Sequence, residues 1–415
     1  MSGFKKGNRN DEDSDSDDST GNVNNDAVAV KEEEKEEDTT CANPNVVTKY
    51  QEAAKIANEA LTSIIAACKA DVAARELIRI GENIIKEKCN LIFRNKVKGK
   101  EIEKGVAFPV CISVNECVCH FNPLDSEEIE LIIKDNDLVK IDLGVHVDGY
   151  IAVVAHTVNV GVADEAPVAD TLANCYSAAY VAAQAATSLI RPGKKNSEIT
   201  KVMKQIMETY GVTSISGTLM HQLKRFVMDG NKMIMLRDET DQKVDSCEFE
   251  ENEVYVVDIA VTNGEGKPKE VDTKTTIYKR VVDRKYHLKV KNSRMIFTEI
   301  CQKFPSMPFS VRALSDEKTA RVGLRECLAH DLIVPYPVLY EKKGVNIVHY
   351  KCTILVLPGG NLKITGMDLA PPKGVDTKEL DAKLPEEIKN VIAEEEARKA
   401  KKAAKKNKKK AAKKK

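Results

Sequence analysis

Between Leu138 and Thr157 the chain reads LVKIDLGVHVDGYIAVVAHT, two apolar-rich runs broken once, at Asp148-Gly149. Asp-Gly between such runs supplies the positive φ angles of a tight type I′ turn, so the stretch predicts a β-hairpin. With a two-residue loop, Asp142 faces Ala155, and period-2 alternation puts Val153 on the same side one step away. Upstream, apolar residues recur at helical spacing at Val47, Tyr50, Ile56, Leu61, Ile64 and Ile65, and again at Leu77, Ile80, Ile84 and Ile85. That spacing predicts an antiparallel helix pair ahead of the sheet. Strand patterns run from Val106 to Val114 and from Cys117 to Phe121.

Downstream, an Ala-rich helix from Asp170 to Ile190 stops at Arg191-Pro192-Gly193, and a second from Ser197 through Met207 is closed by Gly211. Strand Glu253 to Val261 follows, and then irregular chain from Thr262 to Ala313. Helices are expected over Ser293 to Lys303 and Ser315 to Leu328, and a last strand pair over Val345 to Leu357. Pro385, with Glu386 and Glu387 beside it, opens a final helix that runs into a lysine tail. A helix pair followed by sheet thus occurs twice.

Charge changes this picture at the two ends. Residues 1–40 hold thirteen Asp/Glu against five Lys/Arg, giving −8, and residues 398–415 hold twelve Lys/Arg and no acid, giving +12. The acidic end carries too few large apolar groups to offset chain entropy, which predicts disorder. No window of eighteen or more apolar residues occurs and the first thirty residues have no apolar signal core, so a soluble intracellular protein is expected, without a membrane partner. Eleven scattered cysteines without finger spacing fit reduced thiols in cytosol or nucleus.

KIDLG around Asp142, then eleven residues to Val153, then AHT, resembles the metal-binding sheet of type 2 methionine aminopeptidases. Over roughly 45–370 the chain is most similar to the non-catalytic branch of that family, the proliferation-associated, ErbB-receptor-binding proteins that associate with ribosomes and RNA. The resemblance implies an α/β (α+β) fold of pseudo-two-fold "pita-bread" type with a type 2-like insertion and charged, disordered ends. The expected divisions are an acidic tail over 1–45, an aminopeptidase-like domain over 46–370 with the insertion at about 262–342, and a helix with a Lys-rich tail over 371–415.

Two adjacent dications need anionic oxygens around and between them. By resemblance, the family's five ligands fall on Asp142, Val153, His221 (in TLMHQLKRF), Asp258 (in EVYVVDIAV) and Lys351 (in VHYKCTIL). Val153 offers no lone pair. Lys351 brings a positive charge where an acid should bridge, and is expected to pair with Asp142 or Asp258 in a metal-free cluster. His120, in CVCHF, matches a histidine that contacts substrate in the family and is read as a vestige; the family's second such histidine falls on Asp229. A zinc site at Cys117, Cys119 and His120 is disfavoured, because strand alternation turns the imidazole away from the thiols. The fragment GEGK at 264–267 is read as a loop.

Residues 274–294 carry eight Lys/Arg (Lys274, Lys279, Arg280, Arg284, Lys285, Lys289, Lys291 and Arg294) against one acid, with Tyr278 and Tyr286 between them. Basic groups neutralise phosphates and aromatic rings stack on unpaired bases. A solvated hairpin reads equally well from composition alone. In the tail, Lys401, Lys402, Lys405, Lys406, Lys408, Lys409 and Lys410 repel one another until an anionic partner screens them, and nuclear or nucleolar targeting is an equal reading. The expectation is a pseudoenzyme without cofactor that binds ribosomal RNA, the large ribosomal subunit and other RNA. Ribosome biogenesis, translation and growth control follow from the resemblance, in cytoplasm and nucleus including the nucleolus. The alternatives are an aminopeptidase with a single metal on Asp142, His221 and Asp258, and a transcriptional corepressor or signalling adaptor.

Overall fold

Helix α1 (Pro44–Ala67) begins where Asn43 accepts a hydrogen bond from the Asn45 backbone N–H at 3.0 Å and Pro44 pre-sets the first turn. In the computed structural model, residues 38–398 are described, except 98, 128–129, 240–242, 367–368 and 395. The expectations for residues up to 37 and for the lysines from 401 onward fall outside the described residues. Residues 38–45, assigned to the acidic tail by composition, are part of the fold: Cys41 is buried and its N–H donates to Asn252 O. A cap and a buried thiol outweigh the polar composition around them.

Helix α2 (Ala74–Leu91) lies against α1, and the close approach is made at Gly81, where a Cβ would stand 2.6 Å from Ile64 Cδ1. The two helices cover one face of β1 (Lys104–Val114), β3 (Leu138–Val147) and β4 (Tyr150–Asn159), and β2 (Cys117–Cys119) follows β1. The predicted hairpin is present with Asp142 opposite Ala155 and Gly144 opposite Val153. Asp148 (φ 55°) and Gly149 (φ 77°) both take the left-handed conformation that a type I′ turn requires.

The pattern then repeats. Helices α3 (Asp170–Leu189) and α4 (Asn196–Tyr210, closed by Gly211 at φ 64°) pack together, and α3 covers β8 (Val254–Thr262) and β14 (Ile347–Leu355). Short strands β5 (Thr213–Ser214), β6 (Leu219–Leu223) and β7 (Met233–Met235) complete this half. The main antiparallel sheet runs β1-β3-β4-β14-β8-β6-β7, with β5 added beside β8. Helix pair plus sheet occurring twice is the pseudo-two-fold pita-bread arrangement.

The halves meet between β4 and β14, where the ladder gives the pair Lys351–Ala155. Threonine side chains supply other bonds across this seam. Thr353 Oγ1 accepts from Val153 N at 2.9 Å and donates to Val153 O at 3.0 Å, while Thr157 Oγ1 accepts from His349 N and donates to His349 O. A hydroxyl both accepts and donates, so it satisfies two backbone groups that a widened seam would orphan.

The chain from Thr262 to Ala313 is less irregular than expected, and the stretch 262–342 holds both expected helices. It contains β9 (Lys269–Glu270), β10 (Ile277–Arg280), α5 (Lys291–Lys303), β11 (Phe309–Ser310), α6 (Glu317–Ala329), β12 (Ile333–Tyr336) and β13 (Leu339–Tyr340). Sheet β11-β10-β12 shares a separate core with α5 and α6, including Tyr278, Ile296, Phe309 and Leu324. Asn122 fastens this unit to the main body: its Nδ2 donates to Val110 O at 2.7 Å, and its Oδ1 accepts from Ser310 at 2.7 Å. The expected strand pair at 345–357 is one strand, β14, because no turn residue interrupts it and β4 and β8 flank it on both sides. It meets β15 (Leu362–Lys363) after a turn at Gly359-Gly360, and the short helix α7 (Lys378–Asp381) comes before a helix over 386–394. Leu384 and Ile388 anchor that end in the second core.

All eleven cysteines are free, and no helix among the described residues is long and apolar enough to cross a membrane. At the hairpin tip, a Cβ on Gly149 would fall 2.5 Å from the Phe226 ring. Gly149→Ala is expected to cost about 2–4 kcal/mol, combining a left-handed β-carbon with overpacking. Urea unfolding of the two proteins checks this; an unchanged midpoint would contradict the turn.

Candidate functional site

Asp142, Ala155, Lys351 and Asp258 stand in one row across β3, β4, β14 and β8, as the registers Asp142–Ala155, Ala155–Lys351 and Lys351–Asp258 require. The alanine at the second place leaves room above it. Into that room Lys351 extends its ammonium, 2.7 Å from Asp142 Oδ2 and 3.1 Å from Asp258 Oδ2. Both aspartates are buried and the lysine largely so, and one cation holds two carboxylates that come from different halves of the fold.

His349 completes the group. It lies two residues before Lys351 on the same strand face, and its Nε2 stands 2.7 Å from Asp258 Oδ1. Sequence reasoning passed over it, although period-2 alternation from Lys351 in VHYK marks it as a neighbour. Burial by itself would raise the Asp258 carboxyl, but the charges of Lys351 and His349 and their hydrogen bonds hold it well below the carboxylate range. Burial likewise opposes the Lys351 ammonium, and the two aspartates more than offset it, holding the lysine well above its ordinary value. Asp142 Oδ1 is buried without a hydrogen-bond partner among the described residues.

A cavity of about 360 Å³ opens over this cluster, and Val153, His120 and His221 are in its wall. His221 lies on strand β6 opposite Val256. Val153 presents an aliphatic branch, packed against the site of a β-carbon on Gly144 at 2.9 Å. Burial pushes His120 down to about 4 and lowers His221, so both rings are neutral at pH 7. His120 Nδ1 lies 3.0 Å from Pro337 O, and because a carbonyl only accepts, the proton is on Nδ1 and Nε2 is left as an acceptor. Asp229, at the second family histidine position, pairs at 2.6 Å with Lys279.

Cys119 and His120 do not follow the expected strand alternation. His120 has φ 64°, which ends the strand and swings its ring back to within 3.4 Å of Cys119 Sγ, so thiol and imidazole line the same cavity. A left-handed residue breaks the period on which the expectation rested. In the loop at 264–267, the Glu265 and Gly266 N–H groups donate to the Glu341 carboxylate at 2.9 and 3.1 Å, which occupies the amides a phosphate would need.

The basic run divides by structure into two sets. Tyr278 is 8% exposed and its hydroxyl donates to Thr275 O, so it is a core residue and cannot stack on a base. Lys279 is held by Asp229, Arg280 donates to Pro305 O, and Arg294 donates to Leu288 O and Lys289 O. By contrast Lys274, Arg284, Lys285, Lys289 and Lys291 have exposed side chains, Arg284 only 3.9 Å from Asp331. Tyr286, 39% exposed, stacks on His330 with centroids 3.6 Å apart. Lys318, Arg321 and Arg325 on α6 add exposed charge that the reading of 274–294 left out; their i, i+3, i+7 spacing is the signal.

The model of metallopeptidase family M24 matches residues 48–282. ErbB-3 binding protein 1 of Solanum tuberosum is 48% identical over 340 residues, 81% of this chain and 86% of that protein. Proliferation-associated protein A of Dictyostelium discoideum is 43% identical over 331 residues, 80% and 84% of the two chains. A protein of Schizosaccharomyces pombe named curved DNA-binding protein is 36% identical over 329 residues, 78% and 84% of the two. Among solved structures, that of a thermophilic Arx1 is 24% identical with a TM-score of 0.77, over 84% of this chain and 98% of the other, and shows the same fold.

Removing the ammonium leaves two carboxylates buried side by side. Lys351→Met is expected to destabilise the protein by about 3–5 kcal/mol. Adding Asp142→Asn to it is expected to return part of that loss, because one stranded charge is then gone. Denaturant unfolding of wild type, single and double variants tests the coupling; a double variant no more stable than the single would contradict it.

Proposed function

Because the chain belongs to metallopeptidase family M24, together with ErbB-3-binding and proliferation-associated proteins, we propose that it is a non-catalytic member that uses the aminopeptidase-like body to bind RNA and ribosomes. The observation that carries the first half of this reading is the Lys351 ammonium at 2.7 and 3.1 Å from Asp142 and Asp258. The residues present do not fit a pair of dications. Both carboxylates spend lone pairs on the lysine, Val153 has none to give, and a metal beside the ammonium would meet repulsion of several kcal/mol at ordinary protein screening. Without bound hydroxide the cavity offers no activated nucleophile: His120 and His221 are neutral, burial keeps the Cys119 thiol protonated, and the Lys351 ammonium has no free electron pair.

The same neutralisation weighs against the single-metal alternative, since Asp142 and Asp258 would both have to exchange Lys351 for the ion. Receptor binding, printed in the name of a relative, finds no motif here that would carry it.

For the second half, support comes from the exposed set Arg284, Lys285, Lys289 and Lys291 beside the Tyr286–His330 stack, and from the lysine tail. Phosphates give sequence-independent affinity to such a surface, and the free face of a stacked ring accepts an unpaired base. The similarity to a protein named for binding DNA agrees with a nucleic-acid partner. By resemblance to the ribosome-associated branch, the partner is ribosomal RNA on the large subunit. Roles in ribosome biogenesis and translation, in cytoplasm, nucleus and nucleolus, follow from that partner.

Two experiments test the two halves separately. In the first, single-stranded and ribosomal RNA are titrated at graded salt with the full chain, a chain lacking 398–415, and Arg284→Gln/Lys285→Gln/Lys289→Gln. Affinity is expected to fall with salt, and each lost phosphate contact to reduce the log–log slope by about 0.7–0.9; affinity and slope unchanged in both variants would remove the nucleic-acid reading. In the second, elemental analysis of freshly isolated protein is combined with a Met-peptide assay. Metal well below one equivalent and no methionine release are expected, and two equivalents of manganese or cobalt with release would refute the non-catalytic reading.

A further inference from the structure

A second cleft, of about 520 Å³, lies between α2, the start of β1 and the segment 303–313, and it shares no lining residue with the cavity over Lys351. Its lining combines apolar residues, Ile85, Val106, Phe304, Met307 and Pro308, with charged ones, Lys86, Lys104, Lys303 and Arg312 against Glu82 and Glu103, an excess of two cations.

Arg312 is the informative residue. Its side chain is only 6% exposed, and Nη2 donates to Glu82 Oε1 at 2.5 Å. Its Nη1 is buried with no hydrogen-bond partner among the described residues. A guanidinium presents its donors as a fork, and leaving one prong unsatisfied in the interior costs free energy, so such a group calls for a partner. Lys104 has only a long contact, 3.3 Å, to Phe93 O. The volume is in the range of small-molecule sites, which pair an apolar wall with a few fixed polar groups.

We propose that this cleft is a binding site for a small amphiphile with one anionic head, a carboxylate or a phosphate, whose oxygens take Arg312 Nη1 and Lys104 while its apolar body lies along Phe304, Met307 and Val106. Glu82 keeps Arg312 in place by holding the other prong. The site is independent of the nucleic-acid reading, since none of the exposed basic residues invoked there lines it.

The test uses the full chain and simple probes: decanoate, decyl phosphate and decanol, followed by calorimetry. The lysine tail will also attract anionic probes, so each titration is repeated with Val106→Trp, which fills the cleft and leaves the tail unchanged. Decanoate or decyl phosphate is expected to bind wild type one to one, with the tighter of the two identifying the head. Decanol should bind about tenfold more weakly or worse, the value of one charge-assisted hydrogen bond. Val106→Trp should lose the one-to-one event and Lys104→Gln should weaken it. Decanol binding as tightly as the anions, no one-to-one event in wild type, or an unchanged event in both variants would overturn the assignment. Arg312→Gln is avoided, because it strands Glu82.

Discussion

One ammonium between two buried carboxylates constrains the centre of this protein. Asp142 comes from the first half of the fold and Asp258 from the second, and Lys351 reaches both from the strand at their junction. Neither aspartate could remain charged in that interior alone, since an unpaired buried carboxylate protonates or destabilises the fold. Here a lysine side chain supplies the positive charge that both carboxylates need.

The junction itself shows why a sheet of this kind can carry a cavity at its middle. Thr157 and Thr353 lend hydroxyls to backbone groups of the opposite strand, so the two halves join with their hydrogen bonds satisfied. Separation of the halves would break these bonds and the ion triad together. The helix pairs lie against the sheet, and Asp142, Lys351 and Asp258 line the cavity.

On the insertion, charge has two uses that composition cannot separate. Lys279, Arg280 and Arg294 satisfy carboxylates and carbonyls, fixing the small sheet and the ends of α5, and their positive charge is spent locally. Arg284, Lys285, Lys289 and Lys291 extend into solvent beside an exposed aromatic pair, with α6 adding more of the same sign. The second set leaves its charge in solvent, and of the two tyrosines Tyr286 is the exposed one.

The sequence by itself determined the hairpin, because Asp148-Gly149 can be crossed in few ways and a two-residue turn fixes the facing residues. It also determined that Val153 and Lys351 bring an aliphatic branch and an amine to the pocket, since side-chain chemistry is written directly in the chain. Where capping chemistry closes a local element, as at Gly211, the boundary could be read; at Asn43-Pro44 the polar composition around the cap hid it. What only the tertiary structure decided depends on groups distant in the chain or on a single dihedral angle. His349 joins Asp258 through strand register, His120 turns toward Cys119 through one positive φ, Tyr278 is sealed beneath Phe309, and Arg312 meets Glu82 across 230 residues. Composition and periodicity carry information about neighbours along the chain, whereas burial and pairing arise from contacts that exist only once the halves have closed on each other.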